Sequence, residues 1–181
     1  MNCYVLVGGR STRLGASKPG LFLDRIVDAA RPVFDEVIAV DRQCGTDILV
    51  CPTILENAHE DEALIFGVRR AIEHANAKCF ILAVDYPLIT SDLLREWSQR
   101  FATSSANMLV PRSGGHLHVL SAGYSSALLP LIDTRIARRQ YDLRSIAGDA
   151  EIVDYDGAAL LNVNTPEELE WYERQKLLAP R

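Results

Sequence analysis

The sequence predicts an α/β fold: a mostly parallel sheet between two layers of helices. Three observations predict it. "NCYVLV" and "CFILAVD" are apolar on both faces, as parallel strands covered by helices on either side must be. Between such stretches apolar residues recur at helical spacing, so strands and helices alternate along the chain. Glycine-bearing and polar loops follow the strands at their carboxyl ends, where open α/β sheets bind ligands. A chain of 181 residues is expected to form one domain, 1–181, with a core large enough to need no disulfide or structural metal.

The elements follow in order. "NCYVLV" is the first strand, closed by Gly8 and Gly9. Phe22, Leu23, Ile26, Val27, Ala30 and Phe34 then mark one face of a helix, with Pro32 near its end. "EVIAVD" is a second strand and "DILVC" a third. Leu64, Ile65, Val68, Ala71 and Ile72 place a helical stripe between about Asp61 and Ala75. "CFILAVD" runs apolar to Asp85, and Pro87 fixes the turn behind it. "TSDLLREWSQRF" opens on capping residues and continues as a helix. "NMLVP" and "HLHVLSAGY" read as strands, "SSALLPLI" as a short helix, "RIARRQ" as a basic surface segment and "EIVDY" as a strand. "TPEELEWYERQKLL" is the final helix, with Thr165 as cap, Pro166 in the first turn and Glu168 completing a capping box.

Composition excludes several classes. The formal net charge of −5 leaves no broad basic surface for nucleic acid, although a local pocket for a small anion remains open. No run approaches the ~18 apolar residues of a transmembrane helix. "MNCYVLVGG" lacks the basic start and cleavage site of a secretory leader. Cys3, Cys44, Cys51 and Cys79 form no C-x-x-C pair and read as reduced thiols. The expected location is the cytoplasm.

Three strand-end loops carry the chemistry. In the first, Gly8 and Gly9 let backbone N–H groups approach a ligand, while Arg13 and Lys18 bring positive charge, with Arg10 at the edge. This suits a polyphosphate, but it equally fits a glycine turn with solvated charges, because neither G-x-G-x-x-G nor G-x-x-x-x-G-K-[ST] is present. In the second, Asp85 ends a strand with no other polar side chain, as either a turn cap or a ligand for a hard cation. In the third, Asn162 and Asn164 alternate along an extended segment and share a face. Such amides can bind phosphate, metal-bound water or a hydroxyl. The four histidines show no zinc spacing; His116 and His118 share a strand face, which suits a surface or substrate-facing role better than a metal pair.

Taken in order, the loops resemble a known family. "LVGGRSTRLGASK" resembles the signature L-A-G-G-x-S-x-R-M-G-x-D-K of nucleotidyltransferases with a GT-A-like, Rossmann-like fold. "LAVDYP" resembles their D-x-P metal motif, and "NVNTPEEL" the N-x-N-T-P-E-D/E-L of the molybdenum cofactor guanylyltransferases. The resemblance runs from Val5 to about Gln175. It implies transfer of GMP from GTP to molybdopterin with release of pyrophosphate. Leu6, Val7, Gly8 and Gly9 would line the nucleotide. Arg13 and Lys18 would hold the triphosphate. Asp85 would bind Mg²⁺, and Asn162 and Asn164 would sit near the metal and the pterin phosphate. "ILEN" resembles a "V-I-E-D" strand end, which places Asn57 where a nucleotide-contacting aspartate is usual, and His118 suits a position where the family has glutamine or histidine. The resemblance also implies contact with molybdoenzymes or other cofactor-synthesis proteins.

The sequence departs from the pattern: Val7 replaces the usual alanine, Ser17 the usual aspartate before the lysine, and two loops differ. After Lys18, "PGLFLDRIVDAA" enters the helix without the family's glycine hairpin, and "DEALIFGV" stands where a "G-P-L-A-G" loop is usual. Two alternatives therefore stand beside the main expectation: a CTP- or sugar-phosphate-specific enzyme of the same fold, and a non-catalytic nucleotide-binding relative.

Overall fold

A computed structural model describes residues 1–7, 18–42, 50–56, 59 and 61–178, with Lys18 and residues 175–178 described by backbone alone. The strands are β1 (Cys3–Leu6), β2 (Val37–Asp41), β3 (Thr53–Leu55), β4 (Cys79–Ala83), β5 (Met108–Ser113), β6 (His116–Leu117), β7 (Ser121–Tyr124) and β8 (Glu151–Asp154). The helices are α1 (Lys18–Ala30), α2 (Leu64–Ala75), α3 (Ser91–Thr103), α4 (Leu129–Ala137) and α5 (Pro166–Leu178).

The strands form one sheet in the order β3-β2-β1-β4-β7-β5-β6, with β8 paired to β5. From β3 to β4 every pairing is parallel, as is β5 with β8, while β7 and β6 run antiparallel to their neighbours. The early strands are continuously apolar because both faces are covered. Cys3, Val5, Phe80 and Leu82 pack on one side with residues of α1, α3 and α5; Tyr4, Leu6, Cys79 and Ile81 pack on the other with α2 and α4. Burying each such large apolar side chain contributes roughly 1.5–3 kcal/mol, so the two cores fix the register of β1 and β4 from both faces.

Local chemistry sets the helix ends. Thr90 caps α3 by accepting from the Leu93 N–H, and Asn76 ends α2 in a left-handed conformation. Helix α1 starts at Lys18, so Pro19 and Gly20 lie in its first turn and no hairpin intervenes. No helix among the described residues is long and apolar enough to cross a membrane.

Three expectations shift. Of the expected third strand, residues 47–49 lie outside the described residues and Val50 and Cys51 form a bend; the strand forms later, at Thr53–Leu55, a short edge strand with Thr53 and Leu55 exposed. Its apolar predecessor misled because hydrophobicity marks burial, and Val50 and Cys51 are packed on the core without joining the sheet. "HLHVLSAGY" is two strands, β6 and β7, separated by a turn in which the Ser121 N–H donates to the His118 carbonyl at 2.9 Å. In "RIARRQ", Arg135–Ala137 belong to α4, where Ile132 on the same helix reaches the core.

Candidate functional site

The register of the central strands brings the carboxyl ends of β1, β2 and β4 to one end of the sheet. Leu6 is paired with Val40 on one side and Ala83 on the other, so β1, β2 and β4 finish side by side. The Val7 N–H donates to the Val40 carbonyl at 3.1 Å, extending this alignment by one residue. Leu6 and Val7 themselves are buried, so they can offer a ligand their backbone rather than their side chains. Gly8, Gly9, Arg10, Arg13 and Asn57 lie outside the described residues. Lys18 begins α1, described by its backbone only.

Asp85 sits two residues beyond β4 and is partly buried. Its backbone carbonyl accepts the Val163 N–H at 3.0 Å. That bond joins the Asp85 turn to the segment holding Asn162 and Asn164. Val163 is fully buried between the two asparagines, as strand-like alternation requires. The segment is held from its far side by the capping box of α5. The Glu168 N–H donates to Thr165 Oγ1 at 3.3 Å, while Glu168 Oε2 accepts from the Asn164 and Thr165 N–H groups at 2.6 and 3.0 Å. The ordinary helix-start reading of Thr165 is therefore realised, and the backbone of the asparagine segment lies beside the Asp85 turn.

Tyr86, the middle residue of "DYP", has a role that sequence reasoning missed. Its side chain is buried, and its hydroxyl lies 3.3 Å from His118 Nδ1. Burial pushes the Tyr86 hydroxyl pKa up to about 12, and the nearby Asp85 carboxylate adds to the rise. Arg144 pulls the other way, which places an unanticipated cation within electrostatic reach. Burial lowers the His118 pKa, with smaller contributions in the same direction from His116 and Arg144. His118 thus turns inward while His116 is exposed on β6, and the two do not act as a pair.

A second polar cluster borders the ends of β2 and β3. Asp41 is buried and accepts the Arg42 N–H at 2.7 Å. Glu56 is partly buried; desolvation raises its pKa, Asp41 adds to the rise, and Arg42 opposes it. Helix α2 approaches closely here: a Cβ on Gly67 would stand 3.2 Å from Glu56 Oε2 and 3.4 Å from Leu6 Cδ2.

Among the described residues no three His, Cys, Asp or Glu side chains converge on a cation. What the Asp85 turn offers is one partly buried carboxylate, with the backbone of the segment that carries Asn162 and Asn164 bonded to it, and carboxylate and amide oxygens are hard donors. A Mg²⁺-like ion takes one or two carboxylates and completes its shell with phosphate and water. The residues therefore fit a cation that arrives with a polyphosphate better than a site built from protein ligands alone.

Residues 3–153 match the family model described as the MobA-like NTP transferase domain. The chain belongs to this family. Along 93% of its length it is 31% identical to 88% of a protein of Aquifex aeolicus named "Probable molybdenum cofactor guanylyltransferase". The molybdopterin-guanine dinucleotide biosynthesis protein A of Archaeoglobus fulgidus shares the fold with a TM-score of 0.83 at 18% identity, over 99% of this chain and all of that one. A Mycobacterium tuberculosis protein solved in complex with manganese superposes with a TM-score of 0.63 at 15% identity, over 94% of this chain and 95% of that one. The MobA-like chain is thus a nucleotidyltransferase, an enzyme of a family tied to molybdenum cofactor biosynthesis.

Proposed function

We propose that this MobA-like enzyme transfers GMP from GTP to the terminal phosphate of molybdopterin, forming molybdopterin guanine dinucleotide and releasing pyrophosphate. The names of its relatives favour this reaction. The observation that carries the reading is the hydrogen bond from the Val163 N–H to the Asp85 carbonyl. It supports the reading by bonding the backbone of the Asp85 turn, expected on the nucleotide side, to that of the segment carrying the asparagines expected on the pterin side.

In this reading an oxygen of the molybdopterin phosphate attacks the α-phosphorus of GTP, and the bond from that phosphorus to the β-phosphate oxygen breaks. No general base is needed, since the attacking phosphate is already ionised near neutral pH. The protein's work is positioning and charge stabilisation. Backbone groups of Leu6, Val7, Gly8 and Gly9 line the nucleotide, and Asn57 contacts it from the end of β3. Arg13 and Lys18 hold the triphosphate and offset the charge leaving with pyrophosphate. Asp85 would hold a divalent cation, Mg²⁺ in this reading, which when bound supplies charge neutralisation across the phosphate oxygens. Asn162 and Asn164 orient the acceptor.

A thermal-shift panel of GTP, CTP, ATP and UTP with Mg²⁺ tests the nucleotide assignment. At a hundredfold excess over Kd, a bound nucleotide stabilises by ~2.7 kcal/mol, or roughly 5–11 °C at ~2–4 °C per kcal/mol for a chain of this size. Selective stabilisation by GTP is expected. Selective stabilisation by CTP would replace the guanylyl assignment with a cytidylyl one, and no shift with any nucleotide would point to a relative that has lost catalysis.

A further inference from the structure

Helix α1 lies between β1 and β2, which are parallel, so it runs antiparallel to the strands and starts at their carboxyl ends. Its first turn is therefore at the same end of the sheet as the Asp85 turn. Two side-chain bonds dock the helix on that turn and on the loop behind it. Arg25 Nε donates to the carbonyl of Pro87, a buried residue two places after Asp85. Ser91 Oγ, at the start of α3, donates to the Ala29 carbonyl at 2.8 Å. Residues 25 and 29 are about one turn apart on α1, and residues 87 and 91 are as many places apart on the loop, so the two segments run in step.

The same face of α1 carries more. Lys18, Phe22, Arg25 and Ala29 are spaced i, i+4, i+7 and i+11, which sets their backbone positions in one row along the helix. Phe22 in that row is buried and meets the Tyr172 ring of α5 edge-on, with centroids 5.3 Å apart. The lead-in to α5 in turn bonds the Asp85 carbonyl through the Val163 N–H. A ring of contacts closes: α1 to the turn through Arg25, the turn to the α5 lead-in through Val163, and α5 back to α1 through Tyr172. From Arg25 toward the start of the helix, the row reaches Lys18 after two turns, roughly 10 Å. From Pro87 in the same direction along the loop, the chain reaches Asp85. Lys18 is itself the first residue of α1, so any shift of the helix carries the Lys18 backbone with it.

We infer that Arg25 is a positioning residue: it locks α1 to the Asp85 turn, so that the Lys18 end of the helix and the residue Asp85 keep one spacing. The functional meaning of the lock rests on the proposed roles of Lys18 at the triphosphate and Asp85 at the cation. Two groups that act on one phosphate chain lose rate when their spacing drifts, because positioning is most of what the protein contributes to such a transfer.

Amide hydrogen exchange on the full chain, followed by NMR, reads the lock without turnover. The Ile89 N–H donates to the Tyr86 carbonyl at 3.2 Å and the Val163 N–H to the Asp85 carbonyl, so both report on the turn. Both should exchange at least about 10-fold faster in Arg25→Ala, the effect of losing one hydrogen bond from a charged donor. The Phe80 N–H, bonded to the Asn2 carbonyl near the opposite end of β4, should change less. Arg25→Gln keeps an N–H donor at the same number of bonds from the backbone and should restore most of the protection. Unchanged exchange at Ile89 and Val163, or equal acceleration at Phe80, would overturn the lock. In the transfer assay Arg25→Ala should lower kcat by a similar factor and raise the Mg²⁺ concentration for half-maximal rate, and Arg25→Gln should recover both. An Arg25→Ala protein that is merely less stable, with the kcat and Mg²⁺ response of the parent, would overturn the positioning role. Absence of GMP transfer in the parent would refute the proposed function and leave the exchange result to decide the lock.

Discussion

Gly123 on β7 has no room for a side chain. It faces Phe80 on β4 and Leu109 on β5, and a Cβ there would stand 2.4, 2.7 and 2.8 Å from three atoms of the Phe101 ring. Carbon atoms prefer ~3.5–4.0 Å, so the ring would have to retreat by about 1 Å. Phe101 is fully buried on α3 and hemmed in: Lys78 Nζ lies 4.5 Å from its ring centre and bonds the Phe101 and Ser104 carbonyls at 2.7 and 2.6 Å. Overpacking of this kind costs ~1–3 kcal/mol, which at ~2–4 °C per kcal/mol lowers Tm by roughly 2–12 °C. The assay is a double-mutant cycle by urea denaturation. Gly123→Ala should cost this much in the parent and at least ~1 kcal/mol less in a Phe101→Leu background, where the ring is gone. A Gly123→Ala cost below ~0.5 kcal/mol, the ordinary range of a harmless substitution, would refute the reasoning. So would an equal cost in both backgrounds.

Other outcomes follow from the site and its supports. Folding makes Glu56 harder to ionise, so the stability linked to its proton is present below its ordinary pKa of 4.5 and is lost as pH rises through the raised folded value. Glu56→Gln should therefore be more stable than the parent near neutral pH, with an advantage that fades on acidification into the carboxylate range; urea midpoints across that range check it, and a pH-independent difference contradicts it. Thr165→Ala removes the α5 cap and should lower stability by ~0.5–2 kcal/mol; an unchanged urea midpoint would show that the capping box does not hold in solution.

Much of the architecture is legible because burial on both faces writes itself as uninterrupted apolar strands. β1 and β4 are of this kind, and the helical stripes of α1 and α2 are as plain. The strand at Thr53–Leu55 was not legible, since an exposed edge strand has no apolar pattern, while Val50 and Cys51 look like a strand because they pack against the core from a bend. "HLHVLSAGY" hid its turn because Val119 is buried there without being in a strand. At the site, Asp85 was readable as a carboxylate behind a strand, but Asn162 and Asn164 follow the 3₁₀ turn Ala158–Leu160 and not the expected strand, because that short apolar stretch is buried without joining the sheet. Tyr86 looked like filler between Asp85 and Pro87. Its hydroxyl meets His118, 32 residues away, and local spacing carries no trace of such a partner. Arg144 was passed over for the same reason: its charge acts on Tyr86 and His118 only because the fold brings them together.

Pyrophosphate release from GTP in the presence of molybdopterin and Mg²⁺, compared between the parent and Asp85→Ala, tests the central claim most directly. The account predicts dinucleotide formation with GTP by the parent and a rate lower by about 10²–10³ in the variant, the loss expected when one charge-stabilising contact of ~2.7–4 kcal/mol is removed. Near-normal transfer by Asp85→Ala, or a parent that forms the dinucleotide from CTP rather than GTP, would contradict it.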